Sequence, residues 1–349
     1  MNKELLKIRD LFFAGKSAFE TEQLKKTLIQ INSYLEKITS NDLFKRQNNI
    51  ASLLTDIFSS AFSGKLASFL ALELNKETYY NFGNYILKKL NTDKQKYSNL
   101  AHEYLNLLRA TEFLTKIYEE KRWEKLIENL ILESNFKVST LFNQRVRDYK
   151  GKTLFKVLHG QTESEYSWET VNENVNDYRK SLNVLLNNNN KSMVAFLTVN
   201  SIEMAQLDIA CLTSGIINVM IPANSVPQNI EYILNQTKAE YILVSSEKQL
   251  AKLLSIKNKL KNLKKAIIIK GSSSENWVLN FNEFLSLKNN YKEGTIEKLE
   301  KRISPKSLST IMYTSGTTGE PKGIMFSNLN IIYKRFCRAL ALPEIGEHD

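Results

Sequence analysis

Eleven residues near the end of the chain, Tyr313-Thr-Ser-Gly-Thr-Thr-Gly-Glu-Pro-Lys-Gly323, gather groups that suit a phosphate chain. Hydroxyls on Thr314, Ser315, Thr317 and Thr318 supply hydrogen-bond donors. Glycines at 316, 319 and 323 remove the Cβ atoms that would keep the backbone away from a ligand, and they allow positive φ angles. Lys322 brings a positive charge. Successive backbone N–H groups in such a loop can form an anion-binding nest. The spacing is not that of a Walker A loop, which needs Gly-Lys-Ser/Thr opening a helix. Here Pro321 precedes Lys322 and Gly323 leads into a strand, so a P-loop kinase or GTPase is excluded. The bland alternative is a flexible Ser/Thr/Gly turn between two strands; the order of the residues argues against it.

The loop needs elements that hold it. Leu308 to Tyr313 reads as a strand before it, and Ile324 to Phe326 as a second strand after it. A helix is predicted from Ser327 or Asn328 to about Leu342. Upstream, from about Phe136, short β-rich runs alternate with helical patterns. Thr153–Leu158 and Ser164–Trp168 read as a hairpin, with a helix from about Glu169. Met193–Val199, Ile216–Ile221, Tyr241–Val244 and Ala266–Ile269 read as buried strands. Ser201, with Glu203 after it, opens a helix that runs to about Ser214, and Pro222, Asn224 and Pro227 mark a turn into the next helix. Residues 284–305 are polar and charged and read as a surface connection. Strand, helix, strand in this rhythm predicts an α/β fold with a doubly wound, mostly parallel sheet and helices on both faces.

The segment Tyr313–Gly323 resembles the signature of the AMP-forming adenylate synthetases: the acyl-CoA synthetases, the adenylation domains of nonribosomal peptide synthesis and the luciferases. Further resemblances follow in order at Tyr166–Glu169, Asn200–Glu203, Ser214-Gly215 and Ile221-Pro222. The lead-in Ile311-Met312-Tyr313 looks most like the long-chain acyl-CoA synthetase branch. The resemblance implies ATP-dependent activation of a small-molecule carboxylate to an acyl-adenylate, then transfer of the acyl group to coenzyme A, with Mg²⁺ sharing the phosphate charge. It implies that Thr314, Ser315, Gly316, Thr317, Thr318 and Gly319 hold the phosphates, with Lys322 either meeting them or fixing the loop; no catalytic residue is assigned. An adenylation domain of peptide synthesis is the neighbouring reading and implies a carrier-protein domain downstream. Two departures stand out. Where the family has Thr/Ser-His, this chain has Ser327-Asn328. The family's adenine-binding segment, magnesium-binding glutamate, ribose-binding aspartate, hinge and small C-terminal domain with its catalytic lysine would all follow Asp349, so the chain is expected to be an N-terminal fragment that is inactive alone. The rival function is that of a remnant acting only through its N-terminal helices.

Residues 1–135 carry no proline and three of the twelve glycines, and their apolar residues fall at helical spacing. Leu24, Leu28, Ile31, Leu35 and Ile38 form one stripe; Tyr97, Leu100, Ala101, Tyr104 and Leu108 form another, with Asn91, Thr92 or Asp93 as its cap. An all-helical N-terminal domain of five to seven helices, residues 1–135, is therefore predicted ahead of an incomplete AMP-binding domain, residues 136–349. These helices read as a packed appendage; the apolar stretch Ile50–Leu74 motivates a second reading, peripheral membrane or partner docking. A net charge of +11 is spread along the chain without a dense basic block, and no nucleic-acid-binding motif occurs. The two cysteines, Cys211 and Cys337, lie in apolar helical segments and are expected to be buried thiols, which fits a reducing, cytoplasmic setting. His102, His159 and His348 form no metal-ligand spacing. Nothing in the pattern specifies an oligomeric state.

Overall fold

The fold was obtained as a computed structural model; the residues it describes are 76–107, 121–160, 162–187, 189, 193–314 and 320–341. The stripe at Leu24–Ile38 and the apolar stretch Ile50–Leu74 lie outside them. The described residues fall into two compact units that divide between Phe136 and Lys137, with Ile332 onward grouping with the first.

In the first unit, helices α1 (Lys76–Leu90), α2 (Lys94–Leu107) and α3 (Lys121–Glu133) pack on one another. The second stripe is the buried face of α2: Leu100, Ala101 and Tyr104 are buried, and Asp93 caps the helix by accepting from the Lys96 N–H at 3.0 Å. Trp123, Leu126 and Leu130 of α3 supply the opposing apolar surface.

The second unit begins with α4 (Val138–Tyr149) and the predicted hairpin, β1 (Thr153–His159) and β2 (Thr162–Ser167). Then come α5 (Trp168–Leu185), β3 (Met193–Leu197), α6 (Ile202–Ser214), β4 (Ile217–Met220), α7 (Pro227–Thr237), β5 (Tyr241–Ser246), α8 (Glu247–Leu254), β6 (Lys265–Lys270), β7 (Val278–Asn280), α9 (Phe281–Ser286), α10 (Thr295–Glu300), β8 (Leu308–Thr314), β9 (Lys322–Ser327) and the first residues, up to Ile331, of α11 (Asn328–Ala341). The main sheet has the order β7-β6-β5-β3-β4-β8-β9, parallel throughout except for the antiparallel edge strand β9. Alternate residues of each strand point to opposite faces. Ala195, Leu197, Val219, Ile242, Val244, Ala266 and Ile268 pack beneath α7 and α8. Val194, Phe196, Leu243, Ile267 and Ile269 pack against α4, α5, α6 and α9. Burial on both faces is why the core strands are unbroken apolar runs, and the fold is the doubly wound α/β class.

Local signals set the boundaries. Ser167 and Ser201 each accept a backbone N–H at the start of α5 and α6. Gly215 ends α6 at φ +70°, and a Cβ there would fall 2.4 Å from Cδ1 of Ile303, so both the turn and the packing demand glycine. That contact corrects the reading of residues 284–305 as a surface connection. The segment holds α10 and buries Phe284, Ile296, Leu299 and Ile303, while its charges face outward or pair, as Glu300 does with Arg179. The elements are too short, and their apolar residues too few, for a periodic pattern to show.

Cys211 is buried on α6, as expected, but Cys337 on α11 is exposed. Apolar neighbours in sequence did not place the Cys337 thiol on the covered side of its helix.

Candidate nucleotide-phosphate site

Strands β8 and β9 form the two sides of the phosphate-type loop. They pair antiparallel, with Tyr313 opposite Gly323 and Thr314 opposite Lys322 at the mouth. Of the predicted phosphate-binding residues, Thr314 and Lys322 are therefore brought side by side, and both are exposed. Ser315, Gly316, Thr317, Thr318 and Gly319 lie outside the described residues. Lys322 makes no ion pair among the described residues. Gly323 is required by close approach: a Cβ would lie 2.9 Å from Cζ of Tyr313 and 3.1 Å from Cγ2 of Ile311. The Tyr313 ring thus lies over Gly323, and its burial pushes the phenol pKa up. Its hydroxyl donates to Oε1 of Gln236 at 2.5 Å.

A cleft of about 190 Å³ opens beside the loop. One wall is Tyr313, Thr314 and Pro321; the other is Pro222, Asn224, Ser225 and Val226 from the turn after β4, with Asn229 and Ile233 from α7. It lies at the carboxyl ends of β4 and β8, adjacent parallel strands whose chains leave in opposite directions, β4 toward β5 and β8 toward β9. Open α/β sheets bind ligands in such crevices.

The far wall is held from α8. Lys252 donates to the carbonyl oxygens of Ala223 and Ser225 at 2.9 and 3.0 Å, and Nε2 of Gln249 donates to Ala223 at 3.0 Å. None of Asn224, Ser225, Asn229, Gln249 or Lys252 stood out in sequence as site residues. The only local signal was Pro222, Asn224 and Pro227, which mark a turn after a buried strand.

The near wall is anchored at the start of α11. Asn328, at 1% exposure, donates from Nδ2 to Oγ of Ser309 on β8 and accepts the Val138 N–H on Oδ1. The residue that departs from the family pattern at this position therefore fastens β8 to the start of α4. Ser327 caps α11, accepting the Asn330 N–H at 3.2 Å.

The donor set at the mouth, one hydroxyl and one ammonium, matches phosphate oxygens. A divalent cation takes oxygen ligands, and among the described side chains at the mouth the Thr314 hydroxyl could supply one. Among the described residues no three His, Cys, Asp or Glu side chains gather in a metal-binding group. No helix among the described residues is long and apolar enough to cross a membrane.

Taken together, the geometry defines an α/β protein with an antiparallel β8–β9 hairpin and a cleft at the carboxyl edge of a parallel sheet. A model of the family described as AMP-binding enzyme matches residues 142–346, more than half the chain, and the chain belongs to that family. Among curated relatives, the long-chain-fatty-acid–CoA ligase ACSBG2 of Xenopus laevis is 30% identical over 142 residues, which are 40% of this chain and 19% of that protein. The long-chain-fatty-acid–CoA ligase ACSBG1 of Homo sapiens is 34% identical over 142 residues, 40% of this chain and 20% of that protein. The chain thus spans about a fifth of the length of these relatives. Among solved structures, the anthranilate CoA ligase AuaEII in complex with anthranoyl-AMP overlaps with a TM-score of 0.45 at 21% identity, over 55% of this chain and 35% of that one. Coronafacic acid ligase from Pectobacterium brasiliense overlaps with a TM-score of 0.47 at 17% identity, over 56% and 36%.

Proposed function

We propose that this chain carries the triphosphate-gripping part of an ATP-dependent ligase that converts a long-chain fatty acid to an acyl-adenylate and then to its coenzyme A thioester. The observation that carries the reading is the pairing of Thr314 with Lys322 across the mouth of the β8–β9 hairpin, beside the cleft at the carboxyl end of the parallel sheet. The names of the relatives support the choice of fatty acid and coenzyme A as substrates.

In this reading Thr314, Ser315, Gly316, Thr317, Thr318 and Gly319 surround the β- and γ-phosphates. Lys322 offsets the negative charge that builds on the pyrophosphate as the carboxylate attacks the α-phosphorus. Such a loop works by positioning and by charge stabilisation, with no proton transfer of its own. Residues 136–349 form the family's domain portion, and residues 1–135 a helical appendage to it.

The test is a calorimetric titration of ATP into the 349-residue chain, repeated with the Thr317→Ala/Thr318→Ala double variant. Saturable binding that the double variant weakens at least tenfold supports the assignment; equal affinity in the two proteins removes these residues from the site.

A further inference from the structure

We propose that Gln236 is a positioning residue for phosphate binding: through the Tyr313 hydroxyl it fixes the strand ends that carry Thr314 and Lys322. The proposal rests on the nucleotide reading above and adds to it a residue that touches no ligand.

Gln236 sits in the last turn of α7, exposed to solvent, so its own amide has no need of a protein partner. It nevertheless makes two side-chain bonds. Oε1 accepts from the Tyr313 hydroxyl at 2.5 Å, and Nε2 donates to the hydroxyl of Tyr232 at 2.9 Å, one turn earlier on the same helix. Tyr232 is partly buried and packs against the sheet core beneath α7. The amide is therefore held from both ends, and the phenol of Tyr313, at 6% exposure, meets a fixed acceptor. A buried phenol without a partner is unfavourable. If Tyr313 served only as packing, phenylalanine would fill the same space without that demand.

The ring has a second task. It lies against Gly323 so closely that a Cβ there would come within 2.9 Å of Cζ, the atom that bears the hydroxyl. Tyr313 and Gly323 are cross-strand partners, and the next pair outward is Thr314 with Lys322. Fixing the tip of the ring sets where Gly323 rests, and that sets the position of the neighbouring hydroxyl and ammonium. Displacements on the order of 1 Å at such groups are enough to weaken their hold on a ligand. Helix α7 thus contributes twice to one cleft, lining it through Asn229 and Ile233 and fixing the opposite wall through Gln236.

The experiment is a double-mutant cycle on ATP affinity, with Gln236→Leu, Tyr313→Phe and the two combined. It is paired with amide hydrogen exchange at Gly323 and Ile324. Each single variant is expected to bind ATP roughly three- to tenfold more weakly, the size of one neutral hydrogen bond. The double variant is expected to bind no more weakly than the worse single, because all three lack the same bond. Exchange at Gly323 and Ile324 should quicken in all three while that at Ile242 and Leu243 stays put. Two independent packing defects would instead multiply, and that result overturns the proposal, as does wild-type affinity with unchanged exchange in the single variants. If the unsubstituted chain fails to bind ATP, the nucleotide reading itself falls and Gln236 loses its role with it.

Discussion

Replacing Gly323 with alanine tests the packing that shapes the mouth of the hairpin. Its backbone is outside the left-handed region, so alanine meets no conformational strain there. In open space the change would stabilise the chain by about 0.4–1 kcal/mol, since alanine reduces the freedom of the unfolded state. The site is not open. The added methyl would sit 2.9 Å from Cζ and 3.2 Å from Cε2 of Tyr313, and 3.1 Å from Cγ2 of Ile311. These are ring and branched-chain atoms in the buried core, and neither side chain can swing clear without leaving it. Overpacking of this kind costs about 1–3 kcal/mol, so the net expectation is a loss of roughly 1–2 kcal/mol. Urea unfolding followed by far-UV ellipticity measures it as a lower midpoint at unchanged slope. Combining Gly323→Ala with Tyr313→Leu removes two of the three close contacts, so the pair should be less destabilised than the sum of the singles. A Gly323→Ala variant as stable as the parent, or more stable, would show that the Tyr313 ring does not press on this strand and would refute the reasoning.

Two further outcomes are expected. Asp208 of α6 is packed at the sheet with Asn218 as its hydrogen-bond donor, and burial raises its carboxyl pKa from 3.8 to about 6. The folded state then holds a proton that the unfolded state has released, so the stabilisation present below pH 4 is lost as pH rises through about 6. Asp208→Asn keeps an acceptor for Asn218 and should gain up to about 3 kcal/mol at pH 7, a gain that vanishes near pH 4; urea midpoints of both proteins across that range measure it, and a pH-independent difference contradicts it. Lys252→Met removes the donor shared by the Ala223 and Ser225 carbonyls, and should cost about 1–3 kcal/mol and quicken amide exchange in residues 223–226, whereas unchanged exchange would show that α8 does not hold that turn.

The fold was legible where burial on both faces wrote itself into the chain. Met193–Val199, Ile216–Ile221, Tyr241–Val244 and Ala266–Ile269 each overlap a core strand, because a parallel strand sandwiched between helices has no polar face to show. Ser201 announced its helix by capping it, whereas Ser167, read as a strand residue, caps α5 in the structure. What stayed hidden was short or distant. Strand β7 has three residues and α10 six, too few for a period to register. The cleft depends on β4 lying beside β8, strands separated in the chain by three others, and no local pattern encodes that adjacency. The same holds for Asn328, whose polar side chain reads as a departure in sequence yet joins β8 to α4 in space.

The central claim is that the β8–β9 hairpin grips the phosphates of ATP. It is tested most directly by titrating ATP into the chain and into its Lys322→Met variant, with inorganic pyrophosphate as competitor. A charge-assisted contact to phosphate contributes about 1.5–3 kcal/mol, so the account predicts that the variant binds ATP roughly 10- to 100-fold more weakly and that pyrophosphate displaces ATP from the parent. ATP binding that ignores both the substitution and the competitor would place the nucleotide elsewhere and contradict the account.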